Sequence, residues 1–289
     1  VGRNLTQKIM STFNFNKIYV IESLDLNKEK QTGKELYNDL LRWKEQEHNG
    51  KLQAELIQIE NKKEFFKSLT SIADDCEKMN LMPILHIEIH GNTEGLSLIS
   101  GEFIYWSELC DNLSRINSII GNHLFMTLAV CNGAYLMSQI KLAKPAPFFG
   151  FIGSFDSLKA EDIMIRYSEF YKEFFTSFNF NQAIQNLFNA NPTVPADYKF
   201  ISSEETFNEV YGNYLRDNCS KEGVKKRIEQ VIIDEKMEFP SRQAKRKFGR
   251  TFEKLLLQTK DSYKKEHMSI FFMLKDFPEN YKRFNLVNK

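Results

Sequence analysis

The sequence predicts an α/β fold with a mostly parallel sheet, followed by an α-helical and basic C-terminal extension. Short apolar runs of strand length alternate with segments of helical periodicity over the first two-thirds of the chain. Alternation of this kind is typical of a parallel sheet covered by helices on both faces. From about Glu204 onward no further strand pattern occurs, and Lys and Arg become frequent.

The strand candidates are short apolar runs bounded by polar or turn residues. Ser100–Gly101 separates two such runs within residues 96–105, which predicts a small hairpin. Parallel neighbours among the remaining strands require right-handed crossovers. These remaining candidates are residues 17–22, 55–60, 83–91, 124–131, 146–154 and 198–202.

Two helix starts are predicted from the spacing of a capping box. In this motif two residues three positions apart each use their side chain to accept a hydrogen bond from the backbone N–H of the other. Thr32 with Glu35 forms one such pair, and Asn61 with Glu64 forms the other. Apolar residues of helical spacing follow both pairs. Three more helices are predicted to begin near Trp106, Glu161 and Asn181.

The chain divides into three predicted parts. Residues 1–10 contain no apolar core and are interpreted as a leader before Met10, residues 11–203 as the α/β domain, and residues 204–289 as the helical extension. Residues 221–289 hold 18 Lys and Arg against 10 Asp and Glu, which is a charge of +8. Because the whole chain carries +1, the preceding 220 residues carry −7. The two parts therefore differ in the partners that they attract.

The composition is that of a soluble globular protein, with 42% hydrophobic and 27% charged residues. No run approaches the roughly 20 apolar residues that a membrane helix needs, and no secretory signal is recognised. We therefore expect a cytoplasmic protein with no membrane partner. The four cysteines lie far apart without a CxxC pair, so zinc ribbons and disulfide scaffolds are not expected. Neither a metal nor an organic cofactor is predicted.

Two of the strand candidates end in residues that can perform chemistry. His90 ends one apolar run and Cys131 ends another. Ligands of parallel sheets bind at the carboxyl ends of the strands, so neighbouring strands would bring this base and this thiol together. An imidazole can deprotonate a thiol for attack on a carbonyl and then protonate the leaving amine. The backbone N–H groups of Gly91 and Cys131 would form the oxyanion hole.

This pattern resembles the caspase-like cysteine peptidases of clan CD, and most of all their CHAT/separase branch. The histidine segment of that branch often reads His, three residues, then His-Gly, as His86, His90 and Gly91 do. The segment LAVCNGA is similar to the family's strand that ends in the nucleophile, and FFGFIGS to its next strand. Many relatives have an acidic residue shortly before the Cys, where Ala129 stands here. The resemblance covers roughly residues 17–202.

The resemblance implies a caspase-like three-layer sandwich and hydrolysis of a peptide bond in a protein substrate. His90 would be the catalytic base, Cys131 the nucleophile, and Gly91 and Cys131 the oxyanion donors. Asp156 follows the next strand, where relatives build the pocket for the residue preceding the cut, so a basic substrate residue is expected. The family also implies control by a partner or activation event, here through the C-terminal helices, and a role in bacterial antiviral defence.

Alternative interpretations stay open at this point. Cys131 could be a small core residue, and Asp156 could cap a neighbouring helix. The whole domain could be a catalytically inactive caspase-like module that binds protein. The stretch SRQAKRKFGR could bind nucleic acid, but acidic residues flank it, so a solvated helix face or a protein-binding surface is preferred.

Overall fold

The computed structural model describes residues 14–48, 51–194 and 197–286, so the predicted leader, residues 1–10, lies outside the described residues. This part of the chain forms an α/β structure with a mixed, mostly parallel sheet. Its strands are β1 (Lys17–Ser23), β2 (Gln53–Gln58), β3 (Pro83–Gly91), β4 (Gly95–Ser97), β5 (Phe103–Tyr105), β6 (Phe125–Leu128), β7 (Gly150–Ser154) and β8 (Tyr198–Ser202).

Helices separate most of these strands. They are α1 (Thr32–Leu36), α2 (Arg42–Glu47), α3 (Lys62–Met79), α4 (Trp106–Ile119), α5 (Ala160–Ser177), α6 (Phe180–Asn189), α7 (Ser203–Asn218), α8 (Lys221–Asp234), α9 (Arg242–Phe271) and α10 (Asn280–Arg283). A π-helical turn (Tyr37–Leu41) joins α1 to α2, and a 3₁₀ helix (Gly133–Gln139) follows β6.

The main path of the sheet has the strand order β2-β1-β3-β6-β7-β8. Neighbours from β2 to β7 are parallel, and β8 is antiparallel to β7. The short strands β4 and β5 form an antiparallel extension on the end of β3. Because β3 and β6 are parallel neighbours, their carboxyl ends lie at the same edge of the sheet.

Helices cover the sheet on both faces, so the main architecture is a three-layer α/β/α arrangement. On one face Leu85 and Ile87 pack with α3 and α4, and on the other Ile84 packs with α5 and α6. The sides alternate because successive strand residues point to opposite faces. The second face is rich in aromatic rings, including Phe170 and Phe174 of α5, both at most 1% exposed.

The C-terminal helices belong partly to the same core. Phe207 of α7, Phe271 of α9, and Phe284 are buried in the cluster that also contains Leu85 and Ile87. The predicted boundary between residues 203 and 204 therefore falls at the junction of β8 and α7, but the extension shares apolar contacts with the domain that precedes it.

The predicted strands are present, with changed ends. The run 124–131 is strand only as far as Leu128, which places Cys131 in the turn that follows. The predicted cap at Asn61 is confirmed, since its side chain accepts from the N–H of Glu64 at 3.0 Å. The predicted capping box of Thr32 is wrong, because the helix begins after Gln31 without a side-chain cap.

Candidate active site

Two strand ends of the sheet meet in one pocket. Strand β3 ends in His90 and Gly91, and the turn after β6 holds Cys131. His90 and Cys131 both line a cavity of about 280 Å³ at this edge. Much of its remaining wall is apolar, formed by Leu24, Ile89, Ala129, Leu158, Ala160 and Ile163. The structure thus brings together the two residues on which the sequence prediction depends.

The glycine after His90 lies against the turn that contains Cys131. A Cβ atom on Gly91 would lie 2.2 Å from the side chain of Val130 and 2.8 Å from the carbonyl oxygen of Cys131. Neither distance is possible for a real side chain, so this close approach of the two backbones requires glycine. The contact fixes the end of β3 beside the thiol.

The same geometry directs backbone donors toward the turn. In β3 the carbonyl of Ile87 accepts from the N–H of Ala129 at 2.9 Å. Since alternate residues of a strand direct their backbone groups to the same edge, the N–H of Gly91 also points toward β6 and Cys131. Within the ranges that the structure describes, the N–H of Cys131 donates to no backbone carbonyl. The backbone of Gly91 therefore lies against that of Cys131, with its N–H directed to the same side.

The thiol of Cys131 lies in a sharp turn and is partly exposed. Asn132 adopts left-handed backbone angles with φ of 58°, and the N–H of Gly133 donates to the carbonyl of Val130 at 3.1 Å. The chain then enters the 3₁₀ helix Gly133–Gln139. The N–H of Leu158 donates to the Sγ atom of Cys131 at 3.1 Å. The thiol in turn donates to the carbonyl oxygen of Leu158 at 3.7 Å.

Glu29 is a third site residue, which sequence reasoning missed. It lies in the loop after β1, and its Oε1 atom is 2.5 Å from the Nε2 atom of His90. Its Oε2 atom accepts from the N–H of Asp25 at 2.7 Å. Partial burial acts to raise the pKa of Glu29, but the hydrogen bonds from Asp25 and His90 outweigh it, and the pKa is lowered. A lone Glu in a loop carries no sequence signal, since only the sheet order places β1 beside β3.

The Glu29 contact assigns the two nitrogens of His90. Because Nε2 faces the carboxylate, Nδ1 is left for a second partner, which is the arrangement of a base oriented by a carboxylate. The histidine side chain is 57% exposed, so it is accessible from solvent. Among the described residues, His90 and Cys131 make no direct hydrogen bond with each other. Such bonds are often long in free enzymes and shorten only in the complex with substrate.

A buried polar network lies beneath the pocket. Glu88, which lines the pocket floor, accepts from Thr32 through one carboxylate oxygen and contacts the Nε2 atom of His86 through the other at 2.8 Å. The Nδ1 atom of His86 contacts the hydroxyl of Thr127 at 2.7 Å, and this hydroxyl contacts that of Tyr171 at 2.6 Å. His86 is thus fully buried within a hydrogen-bonded network.

Glu22 holds the helix that borders the pocket. One of its carboxylate oxygens accepts from the N–H groups of Gly33 and Lys34 at 2.9 and 3.1 Å. These are orphan donors in the first turn of α1, and a carboxylate from the neighbouring strand satisfies them. Burial raises the pKa of Glu22, although the hydrogen bonds from Gln58, Lys34 and Gly33 act in the opposite direction.

Asp156 lies close to the turn that contains Cys131 but does not line the pocket. Its backbone carbonyl accepts from the N–H of Asn132 at 3.0 Å, and its carboxylate accepts from the N–H of Asp197 at 2.8 Å. The carboxylate thus joins two loops at the exposed edge of the sheet. It does not cap α5, whose N-cap is Lys159.

The other cysteines differ from Cys131 in environment. Burial raises the pKa of both Cys76 and Cys110 to about 12, so these thiols stay protonated at neutral pH. Cys219 lies between α7 and α8, far along the chain from the pocket residues. Within residues 14–48, 51–194 and 197–286, no cluster of His, Cys, Asp and Glu side chains is arranged to hold a metal ion.

None of the helices in the described part of the chain combines the length and apolar character that crossing a lipid bilayer requires. Comparison of the chain with models of protein families and with curated proteins finds no match.

Proposed function

We propose that this chain is a caspase-like cysteine peptidase of the CHAT/separase type, in which His90 and Cys131 hydrolyse a peptide bond of a protein substrate. The observation that supports this most is the shared pocket. A histidine and a partly exposed cysteine meet at the carboxyl ends of two neighbouring parallel strands, and Gly91 fixes the two ends against each other. The three-layer α/β architecture agrees with the fold that the sequence resemblance implies.

In the proposed reaction the Sγ atom of Cys131, as thiolate, attacks the carbonyl carbon of the scissile bond. The N–H groups of Gly91 and Cys131 donate to the oxyanion of the tetrahedral intermediate. His90, held through Nε2 by Glu29, delivers a proton from Nδ1 to the leaving amine. Water then attacks the thioester, His90 accepts its proton, and the second product leaves with its new carboxylate.

The charge of the pocket supports a preference for a basic substrate residue immediately before the cleaved bond. The carboxylates that would attract this residue are not that of Asp156. Two carboxylates line the pocket: Glu29, which contacts His90, and Glu88, which contacts His86 and Thr32. The cation Lys30, which also lines it, is paired with Glu35 at 3.3 Å. The apolar wall would hold the stem of a Lys or Arg side chain while a carboxylate attracts its charge. Asp156 lies outside the pocket lining, and its role in this proposal is to hold the turn of Cys131 through Asn132.

The test is cleavage of a proteome-derived peptide library that retains internal Lys and Arg, followed by mass spectrometry of the new termini. We expect new termini with the wild-type chain and with the control Cys219→Ala, and none with Cys131→Ala or His90→Ala. Removal of the nucleophile or its base lowers the rates of such enzymes by several powers of ten. Equal cleavage by all four chains would overturn the proposal.

A thiol-reactive peptide probe distinguishes an inactive module from a latent enzyme. A substrate-like acyloxymethyl ketone with Arg at its first position should label Cys131 in the wild type and fail to label Cys131→Ala. Labelling that depends on His90 supports an assembled site. Absence of both cleavage and labelling in the wild type would favour the alternative of a catalytically inactive, protein-binding module.

A further inference from the structure

A second cleft lies between helices α8 and α9, within the basic part of the chain. It has a volume of about 500 Å³. Its lining residues recur at intervals of three and four along each helix, so each helix turns a single face toward the cleft. Six of them are cations, namely Lys221, Lys225, Arg242, Lys245, Arg246 and Arg250. We call this feature the basic cleft.

The cations of the basic cleft form no ion pairs within the part of the chain that the structure describes. None of the six takes part in an ion pair among residues 14–48, 51–194 and 197–286. Only two carboxylates, Glu229 and Glu253, also line the cleft. Like charges held on two facing helices repel one another, and an anionic ligand would relieve that repulsion.

The floor of the cleft is apolar and open. Val224 and Ile228 of α8 line it opposite Gly249 of α9. A Cβ atom on Gly249 would meet only the end of the Ile228 side chain, at an ordinary 3.7 Å. Glycine in the middle of a helix costs about 0.5–1 kcal/mol relative to alanine. Neither packing nor backbone angle requires it here, and its effect is to leave the middle of the cleft unfilled.

We propose that the basic cleft binds an acidic, amphipathic helical segment of a partner protein. An apolar floor flanked by cations along both walls matches a helix that presents apolar side chains at its centre and carboxylates at its edges. A nucleic-acid strand fits less well, because the lining contains no aromatic side chain on which a base could stack. This site is separate from the His90–Cys131 pocket, and its test needs no peptidase activity.

The probe is a fluorescein-labelled 18-residue synthetic helix with Leu on one face and Glu on the other. Its matched control has Gln in place of every Glu. Fluorescence anisotropy with the full chain should show binding of the Glu peptide that is at least about tenfold tighter than that of the Gln peptide, equivalent to about 1.4 kcal/mol. The affinity should fall as salt is added, because exposed charges are screened.

Two variants localise the binding. Lys245→Glu/Arg246→Glu reverses charge in the cleft, and Gly249→Leu fills its floor without changing charge. Both should weaken binding of the Glu peptide at least about tenfold. The control Lys254→Glu/Lys265→Glu makes the same charge change on exposed positions of α9 outside the lining and should change the affinity less than about twofold.

Four results would overturn this inference. In the first, the Glu and Gln peptides bind with equal affinity. In the second, every variant binds the Glu peptide with the affinity of the wild type. Alternatively, a labelled 20-nucleotide single strand would bind more tightly than the peptide and lose affinity with Gly249→Leu, which would assign the cleft to nucleic acid. Finally, sedimentation could show self-association that the Glu peptide reverses, which would assign the cleft to a second copy of this chain.

Discussion

The two faces of strand β3 share one backbone but differ in chemistry. On one face Leu85, Ile87 and Ile89 are at most 2% exposed and pack into an apolar cluster with α3 and α4. On the other face His86 and Glu88 are equally buried, but they join a hydrogen-bonded chain that ends beneath the pocket. His90 continues this polar face to the edge of the sheet.

The difference separates stabilising contacts from those that arrange a site. Apolar burial lowers the free energy of the fold without directing any particular atom. Buried polar groups contribute little net stability, but they cost free energy when left unpaired, so they impose one arrangement on their neighbours. Here that arrangement links β1, α1 and β3, which all border the pocket. The two faces should therefore respond differently to substitution and to pH.

The largest loss of stability is expected from Ile87→Ala on the apolar face. Ile87 is fully buried, and removing such a side chain typically costs about 2–5 kcal/mol. Urea unfolding followed by circular dichroism measures this change. The control Ile99→Ala, at a site that is 41% exposed, should cost much less. Equal losses in the two variants would contradict the assignment of this face as the core.

On the polar face, Glu88→Leu is expected to cost about 1–3 kcal/mol, because it leaves His86 and Thr32 without their buried acceptor. Glu88→Gln keeps one acceptor oxygen at the same position and should cost less. The difference in unfolding free energy between these two variants, measured in urea, reports the contribution of the hydrogen bonds separately from that of side-chain volume. If the leucine variant were the more stable, the network would not restrict the fold.

A smaller effect, dependent on pH, is expected at Glu22, where burial raises the pKa of the carboxyl in the folded chain. A raised folded pKa means that the folded state holds the proton more tightly than the unfolded state does. The resulting stability is present below the ordinary pKa of 4.5 and is lost as pH rises through the folded value. Glu22→Gln should remove this dependence, since an amide does not titrate in this range.

The measurement for Glu22 is the difference in unfolding free energy between wild type and Glu22→Gln at several pH values from 4 upward. This difference should shift in favour of the variant as pH rises. The exposed Glu161→Gln serves as the control and should show no such trend. A constant difference across the range would show that Glu22 ionises in the folded chain as it does in the unfolded chain.

The smallest change in stability is expected from Glu29→Gln at the open end of the polar face. Glu29 is only partly buried, so the unfolding free energy should stay within about 0.5 kcal/mol of the wild type. Under the proposed mechanism the rate of peptide cleavage should nevertheless fall by about tenfold or more with little change in KM, because the carboxylate orients His90. The control is Glu77→Gln, at an exposed position of α3. Unchanged turnover in Glu29→Gln would show that Glu29 has no role in the reaction.

The elements of the fold were largely predictable from local pattern. The predicted run PILHIEIHG has the same two ends as strand β3, and the predicted run YKFIS has the same ends as strand β8. Their apolar side chains and β-branched residues specify extended, buried backbone wherever the strand lies. The prediction failed at Thr32, because its hydroxyl bonds to Glu88, 56 residues away, rather than to its own helix. A long-range contact of this kind leaves no local signal.

The sequence by itself determined the alternation of strands and helices, the position of His90 at the end of one strand and of Cys131 shortly after another, and the basic tail. These depend on residue order and on physical chemistry that acts over a few residues. Only the tertiary structure decided that β1 lies beside β3, which brings Glu29 to His90, and that Asp156 faces another loop instead of the pocket. Strand order determines which distant side chains become neighbours, and hydrophobic periodicity specifies burial without specifying that order.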